Sequence, residues 1–185
     1  MQRPISPRIP PLAPDELTDE QRELVGRVDL APSLHIFTTL ARHPALMRRW
    51  LPFGGKLLRG GTLTARDREL VILRVAWLCR AAYEWAQHVN IAKAAGLTDE
   101  EILRVPGGPD VAGWPDDDQT LVRAVDELHT DQCISDGTWA ALTNRYTEKQ
   151  LIELPMLAGH YALLAGCLNS WGVQPESGGP ALGQL

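Results

Sequence analysis

No stretch of this sequence alternates apolar and polar residues long enough to build a half-buried strand, and hairpin pairs such as Asn-Gly are missing. Apolar residues recur at helical spacing instead. The densest case is Thr64 to Gly96, where Leu70, Ile72, Leu73, Ala76 and Trp77 form a band wide enough to bury a helix on most sides. The expectation is an all-α, single-domain bundle of about seven helices.

Punctuation supports this reading. Thr18-Asp19-Glu20-Gln21, Thr98-Asp99-Glu100-Glu101 and Thr147-Glu148-Lys149-Gln150 each have the form of a capping box, which satisfies the free amides of a helix start. Helices are expected from Thr18 to about Val28, from Leu34 to Ala41, and again through Leu46, Met47 and Trp50 after His43-Pro44 interrupts. Gly54-Gly55 and Gly60-Gly61 read as brackets around a short element. Further helices are expected from Thr64, from Ala82 to Ala95 with Gly96 as the stop, after Pro115, from Asp136 to Tyr146, and from Thr147 to Trp171 with a kink at Pro155. Val105 to Asp118 reads as a loop. Residues 1–14 carry five prolines and read as an extended arm, 15–172 as the domain, and 173–185 as a flexible tail.

Charge and cysteines narrow the function classes. A net charge of −5 disfavours nucleic-acid and anionic-membrane partners, which need basic patches. No uninterrupted apolar run reaches the roughly 18 residues of a membrane span, and prolines stand where a signal peptide needs an apolar stretch. A soluble, cytoplasmic protein is expected. Cys79, Cys133 and Cys167 are far apart and odd in number, and they read as buried free thiols.

Three side chains stand out as candidate chemistry. Glu84 and His88 are four apart and so share a helix face with the apolar Ala81, Trp85 and Ala92. Glu69 lies on the preceding helix, on the stripe of Leu73, Ala76 and Arg80, and reaches His88 if the two helices pack antiparallel. A Glu–His pair at this spacing is more often an exposed helix pair worth about 0.2–0.5 kcal/mol. A zinc site needs three or four protein ligands, and the other histidines lack a matching neighbourhood, so no metal is expected.

The run Arg68-Glu69-Leu70-Val71-Ile72-Leu73-Arg74-Val75-Ala76, followed by Tyr83-Glu84-Trp85-Ala86-Gln87-His88 and by Gly96 to Ile102, resembles the carboxymuconolactone decarboxylase family. Gly159-His160-Tyr161 in the last helix looks related too. The resemblance implies a fold of the alkylhydroperoxidase D-like type and symmetric assembly as a homo-oligomer, a trimer or hexamer. The peroxidases of that wider group carry a CxxC at positions matching Ala81 and Glu84. With both cysteines missing, thiol peroxidase activity is not expected. The implied reaction is decarboxylation of a small carboxylated lactone without metal or organic cofactor, with His88 as the acid and Glu84 or Glu69 orienting it or relaying the proton. Arg74 or Arg80 is expected to hold a substrate carboxylate, and Tyr83, Trp85 and Trp50 to line the pocket. Isomerisation, dehydration, cyclisation and lactone hydrolysis on the same scaffold remain open, as does a non-catalytic ligand-binding role.

Overall fold

The computed structural model describes residues 3–28, 34–176 and 179–185. Among these the fold is entirely helical. The helices are α1 (Asp19–Gly26), α2 (His35–Leu40), α3 (Pro44–Arg59), α4 (Ala65–Leu78), α5 (Ala82–Ala94), α6 (Asp99–Arg104), α7 (Asp116–Thr130), α8 (Asp136–Thr143) and α9 (Glu148–Trp171). Among the described residues there are thus nine α-helices rather than about seven. Pro44 opens α3 as a separate helix because its fixed φ suits a first turn, and the ring of His43 caps that turn by accepting from the Leu46 amide. All three expected capping boxes form.

Two apolar clusters organise the bundle. The larger gathers α4, α5, α7, α8 and α9 around Leu70, Trp85, Leu121 and Leu157, all 0% exposed. The smaller joins α1, α2 and α3 to Tyr83 of α5 and to Leu164 and Leu168 of α9. As its wide apolar band requires, α4 is buried on most sides. A tight turn reverses the chain from α4 into α5. Its carbonyls are closed by Arg80 N–H to Trp77 O and Ala81 N–H to Ala76 O, with Arg80 in the left-handed region at φ 51°. That closure packs the two helices side by side.

Two expectations change. Gly54 and Gly55 do not bracket a separate element but lie inside α3, where Gly54 is buried against the rings of Trp50 and His160. A Cβ there would sit 3.3 Å from both side chains, so close packing accounts for a residue that helix propensity disfavours. The segment after Gly172 makes specific contacts rather than trailing away. Glu176 accepts from the His35 amide at 2.7 Å and the Tyr83 hydroxyl at 3.0 Å, and the Trp85 indole donates to Gln184 O at 2.8 Å. The α9 helix holds an 18-residue window of mean hydropathy 1.5, the apolarity of a membrane-crossing helix, although half of that window is buried in the fold.

The N-terminal arm lies across the end of this helix. Arg8 and Ile9 amides donate to Trp171 O, and the Leu12 amide donates to Thr38 O.

Candidate active site

A cavity of about 360 Å³ lies where the two clusters meet, walled by α2, α3, α5 and α9. Phe37, Trp50, Leu51, Leu58 and Leu164 make most of it apolar, while Glu84, His88, His160 and Tyr161 bring polar groups to its wall.

The α4–α5 pairing sets its chemistry. His88 Nδ1 lies 2.7 Å from Glu69 Oε2, and Arg68 Nε donates to the other Glu69 oxygen at 2.9 Å. Glu69 is 0% exposed. Burial works to raise its carboxyl, but the charge and hydrogen bond of His88, and then those of Arg68, outweigh it and hold the group below the usual carboxylate range. An ionised carboxylate can only accept, so Nδ1 carries the proton of that bond and Nε2 is the ring nitrogen left for the cavity.

Glu84 behaves in the opposite way. The i, i+4 contact with His88 is not made: both carboxyl oxygens are buried without a hydrogen-bond partner. Burial alone pushes its carboxyl well above the ordinary value of 4.5, which favours its protonated form. The environments of these two carboxyls therefore push them in opposite directions, a separation that suits acid/base work.

The remaining expected residues divide. Trp50 and Tyr83 do line the cavity. The Tyr83 hydroxyl is engaged structurally, accepting from the Ile36 amide at 3.2 Å while donating to Glu176. Trp85 does not reach the cavity, because it is 0% exposed in the main core, edge-on to Trp77. Arg74 is also displaced from the site. It forms a two-pronged ion pair with Asp126, at 2.6 and 2.7 Å, and donates to the carbonyls of Val105 and Pro106. Arg80 is exposed in the α4–α5 turn, where backbone closure fixes it. The Lys or Arg that lines the cavity among the described residues is Arg59, at the end of α3.

Sequence spacing overlooked His160 and Tyr161 as site residues. The Tyr161 ring meets His88 edge-on at 5.2 Å and His160 edge-on at 5.4 Å. The adjacent Gly159-His160-Tyr161 run was a signal of relatedness, but only the crossing of α9 over α5 and α3 brings these rings together. Among the described residues no group of three or more His, Cys, Asp or Glu is arranged to hold a metal ion. Cys79 and Cys167 are partly buried, and burial followed by the nearby Glu84 pushes both thiols up, which disfavours the reactive thiolate. Cys133 is exposed rather than buried, since it falls in the loop between α7 and α8.

Comparisons with known proteins agree with this architecture. A crystal structure of an alkylhydroperoxidase AhpD core, an uncharacterized peroxidase-related protein from Ralstonia eutropha JMP134, matches with a TM-score of 0.79 at 18% identity, covering 95% of each chain. An uncharacterized peroxidase-related protein from Silicibacter sp. TM1040 matches with a TM-score of 0.79 at 11% identity, over 96% of this chain and 95% of its own. The debrominase Bmp8 matches with a TM-score of 0.71 at 10% identity, over 91% and 92%. At such identities the likeness is one of fold. No curated protein matches the sequence. The model of the Carboxymuconolactone decarboxylase family matches residues 44–127, the segment that carries Glu69, Glu84 and His88. Through that segment, set in a fold like that of the AhpD core, the chain is similar to the carboxymuconolactone decarboxylase family.

Proposed function

We propose that this protein is a cofactor-independent acid/base enzyme of the carboxy-lyase kind, removing carbon dioxide from a small carboxylated lactone or related conjugated acid. The observation that carries the reading is the 2.7 Å Glu69–His88 hydrogen bond at the wall of an apolar cavity. When carbon dioxide leaves such a substrate, the electron pair of the broken C–C bond flows into the conjugated lactone carbonyl. The substrate is its own electron sink, and the protein has to stabilise a dienolate and deliver one proton.

His88 delivers it from Nε2, with Glu69 fixing the ring through Nδ1. Burial of Glu84 at the same wall disfavours a second negative charge beside the dienolate. Arg59 replaces Arg74 and Arg80 as the guanidinium for a substrate carboxylate, because it lines the cavity and they do not. Substrate size follows from the cavity volume and its aromatic walls. The debrominase of like fold, whose variant is described in complex with 2,3,4-tribromopyrrole, supports a small planar ring as the occupant.

The test is a panel of small unsaturated carboxylactones, carboxymuconolactone among them, incubated with the protein in ²H₂O. Carbon dioxide release with one deuterium fixed in the product is the expected result. Rearranged or hydrolysed product without carbon dioxide would move the protein to another acid/base reaction. No turnover of any member by well-folded protein would count against the enzyme reading.

A further inference from the structure

His160 is held differently from His88. It is 8% exposed on the cavity wall, yet among the described residues its ring makes aromatic contacts only. It stacks on Trp50 at 5.8 Å and meets Phe53 edge-on at 5.3 Å and Tyr161 edge-on at 5.4 Å. Buried polar groups are ordinarily hydrogen-bonded, so an imidazole left without a partner inside a ligand-sized cavity is one kept available for a ligand. Gly54 preserves the space beside it: a Cβ at that position would stand 3.3 Å from His160 Nε2. Burial draws its pKa below the usual imidazole value, which leaves the ring neutral, the form that accepts a proton.

We propose that His160 is a second proton-transfer residue, taking a proton from one carbon of a planar unsaturated lactone while His88 gives one to another, so that the site also isomerises such lactones. The proposal rests on the acid/base reading of the cavity above. Both imidazoles line the one cavity and lie against the one Tyr161 ring, at 5.2 and 5.4 Å between centroids, so a ligand in that cavity meets both. Their environments assign the direction. The His88 ring is anchored through Nδ1 to the Glu69 carboxylate and presents Nε2 to the cavity, whereas His160 has no bonded carboxylate and its burial favours the neutral form.

The step balances without an outside reagent. A C–H bond beside the lactone carbonyl breaks, its proton forms an N–H bond on His160, and its electron pair enters the conjugated system as a dienolate. An N–H bond of the His88 imidazolium then breaks as its proton forms a C–H bond at the far end of that system, and the carbonyl is restored. The double bond has moved, and the two imidazoles recover their starting protons through solvent.

The experiment uses α-angelica lactone, a β,γ-unsaturated five-membered lactone without a carboxyl group, followed by proton NMR in ²H₂O. Wild-type protein should accelerate deuterium exchange at the carbon beside the carbonyl and formation of the conjugated isomer. His160→Asn, which keeps a planar polar side chain but cannot carry the proton, should lower that exchange about 10²-fold or more. Gly54→Ala should also lower it by crowding Nε2, with melting temperature measured alongside because the same Cβ would press on the Trp50 ring. Carbon dioxide release from the carboxylactones is measured in parallel, since decarboxylation needs a proton delivered but none removed. His160→Asn should therefore lose far more exchange than carbon dioxide release. Exchange no faster than buffer with wild-type protein, wild-type exchange by His160→Asn, or an equal fall in both reactions would overturn the proposal. Exchange that depends on His160 without any carbon dioxide release would instead remove the lyase reading and leave this one standing.

Discussion

His88 Nδ1 and Glu69 Oε2 meet 2.7 Å apart across the α4–α5 pair, joining side chains 19 residues apart in sequence. Glu84, one turn from His88 on its own helix, stands unpartnered. Local spacing favours the second pairing, and tertiary packing chose the first. The outcome is a charged Glu69 that orients an imidazole and an uncharged Glu84 nearby, and it gives the two carboxyls opposite effects on stability.

The sign of each effect can be measured. Glu84 has a folded pKa well above its unfolded value near 4.5, so between those values the folded protein holds a proton that the unfolded chain has lost. Stability therefore falls as pH rises through that window. Glu69, with its folded pKa lowered, contributes stability that is present above its unfolded pKa and lost as pH falls through the folded one. Glu84→Gln cannot lose a proton, and its melting temperature should decline less from pH 5 to pH 8 than that of wild type. A parallel decline in both proteins would show that Glu84 is ionised in the fold.

Arg74 is expected to be structural. Arg74→Ala strips Asp126 of its partner, leaves the Pro106 carbonyl without a donor and leaves the Val105 carbonyl only the Gly108 amide. The loss should lie toward the low end of about 3–5 kcal/mol, because Asp126 keeps 26% of its side-chain exposure. Urea unfolding checks this, and KM for a carboxylated substrate should not move. A raised KM at undiminished stability would return Arg74 to substrate binding.

Much of the fold was legible because its signals are local. The capping boxes at Thr18, Thr98 and Thr147 and the stop at Gly96 depend on residues within one turn, and all four operate as expected. The facing of Glu69 and His88 was also accessible, since a tight turn between two helices leaves antiparallel packing as the simple outcome. What was not legible depends on distant partners. Arg74 finds Asp126 at 52 residues' separation, and His160 comes to the cavity only through the path of α9. Gly54-Gly55 misled because glycine's usual meaning is a break, whereas here its small size lets a helix approach two rings.

Thiol chemistry should be dispensable. Cys79 and Cys167 have thiols pushed up by burial, and no disulfide joins any of the three cysteines. A triple Cys→Ser variant with a normal circular dichroism spectrum should keep wild-type turnover. Loss of activity in that folded variant would revive a thiol mechanism.

Self-association is expected through α9. Ile152, Met156 and Leu163 are 64%, 48% and 61% exposed and share one stripe with Gly159 and Gly166, which have open space beside them. Stripes of apolar and small residues let a second helix approach closely, and a large exposed apolar face seldom goes uncovered. Light scattering at micromolar concentration should give a multiple of the 20.4 kDa chain, and Leu163→Glu should reduce it. A wild-type mass of one chain would contradict this.

The central claim is that His88, anchored by Glu69, moves the proton. His88→Ala would leave Glu69 Oε2 without its hydrogen bond, so the cleaner variant is His88→Gln, whose amide can still donate to that oxygen but cannot carry a catalytic proton. The decisive measurement is kcat, from solvent deuterium incorporated into product, together with melting temperature on the same preparation. The expected result is a kcat about 10²–10⁴-fold lower with melting nearly unchanged. Undiminished kcat with a large fall in melting temperature would make His88 a core histidine and contradict the account.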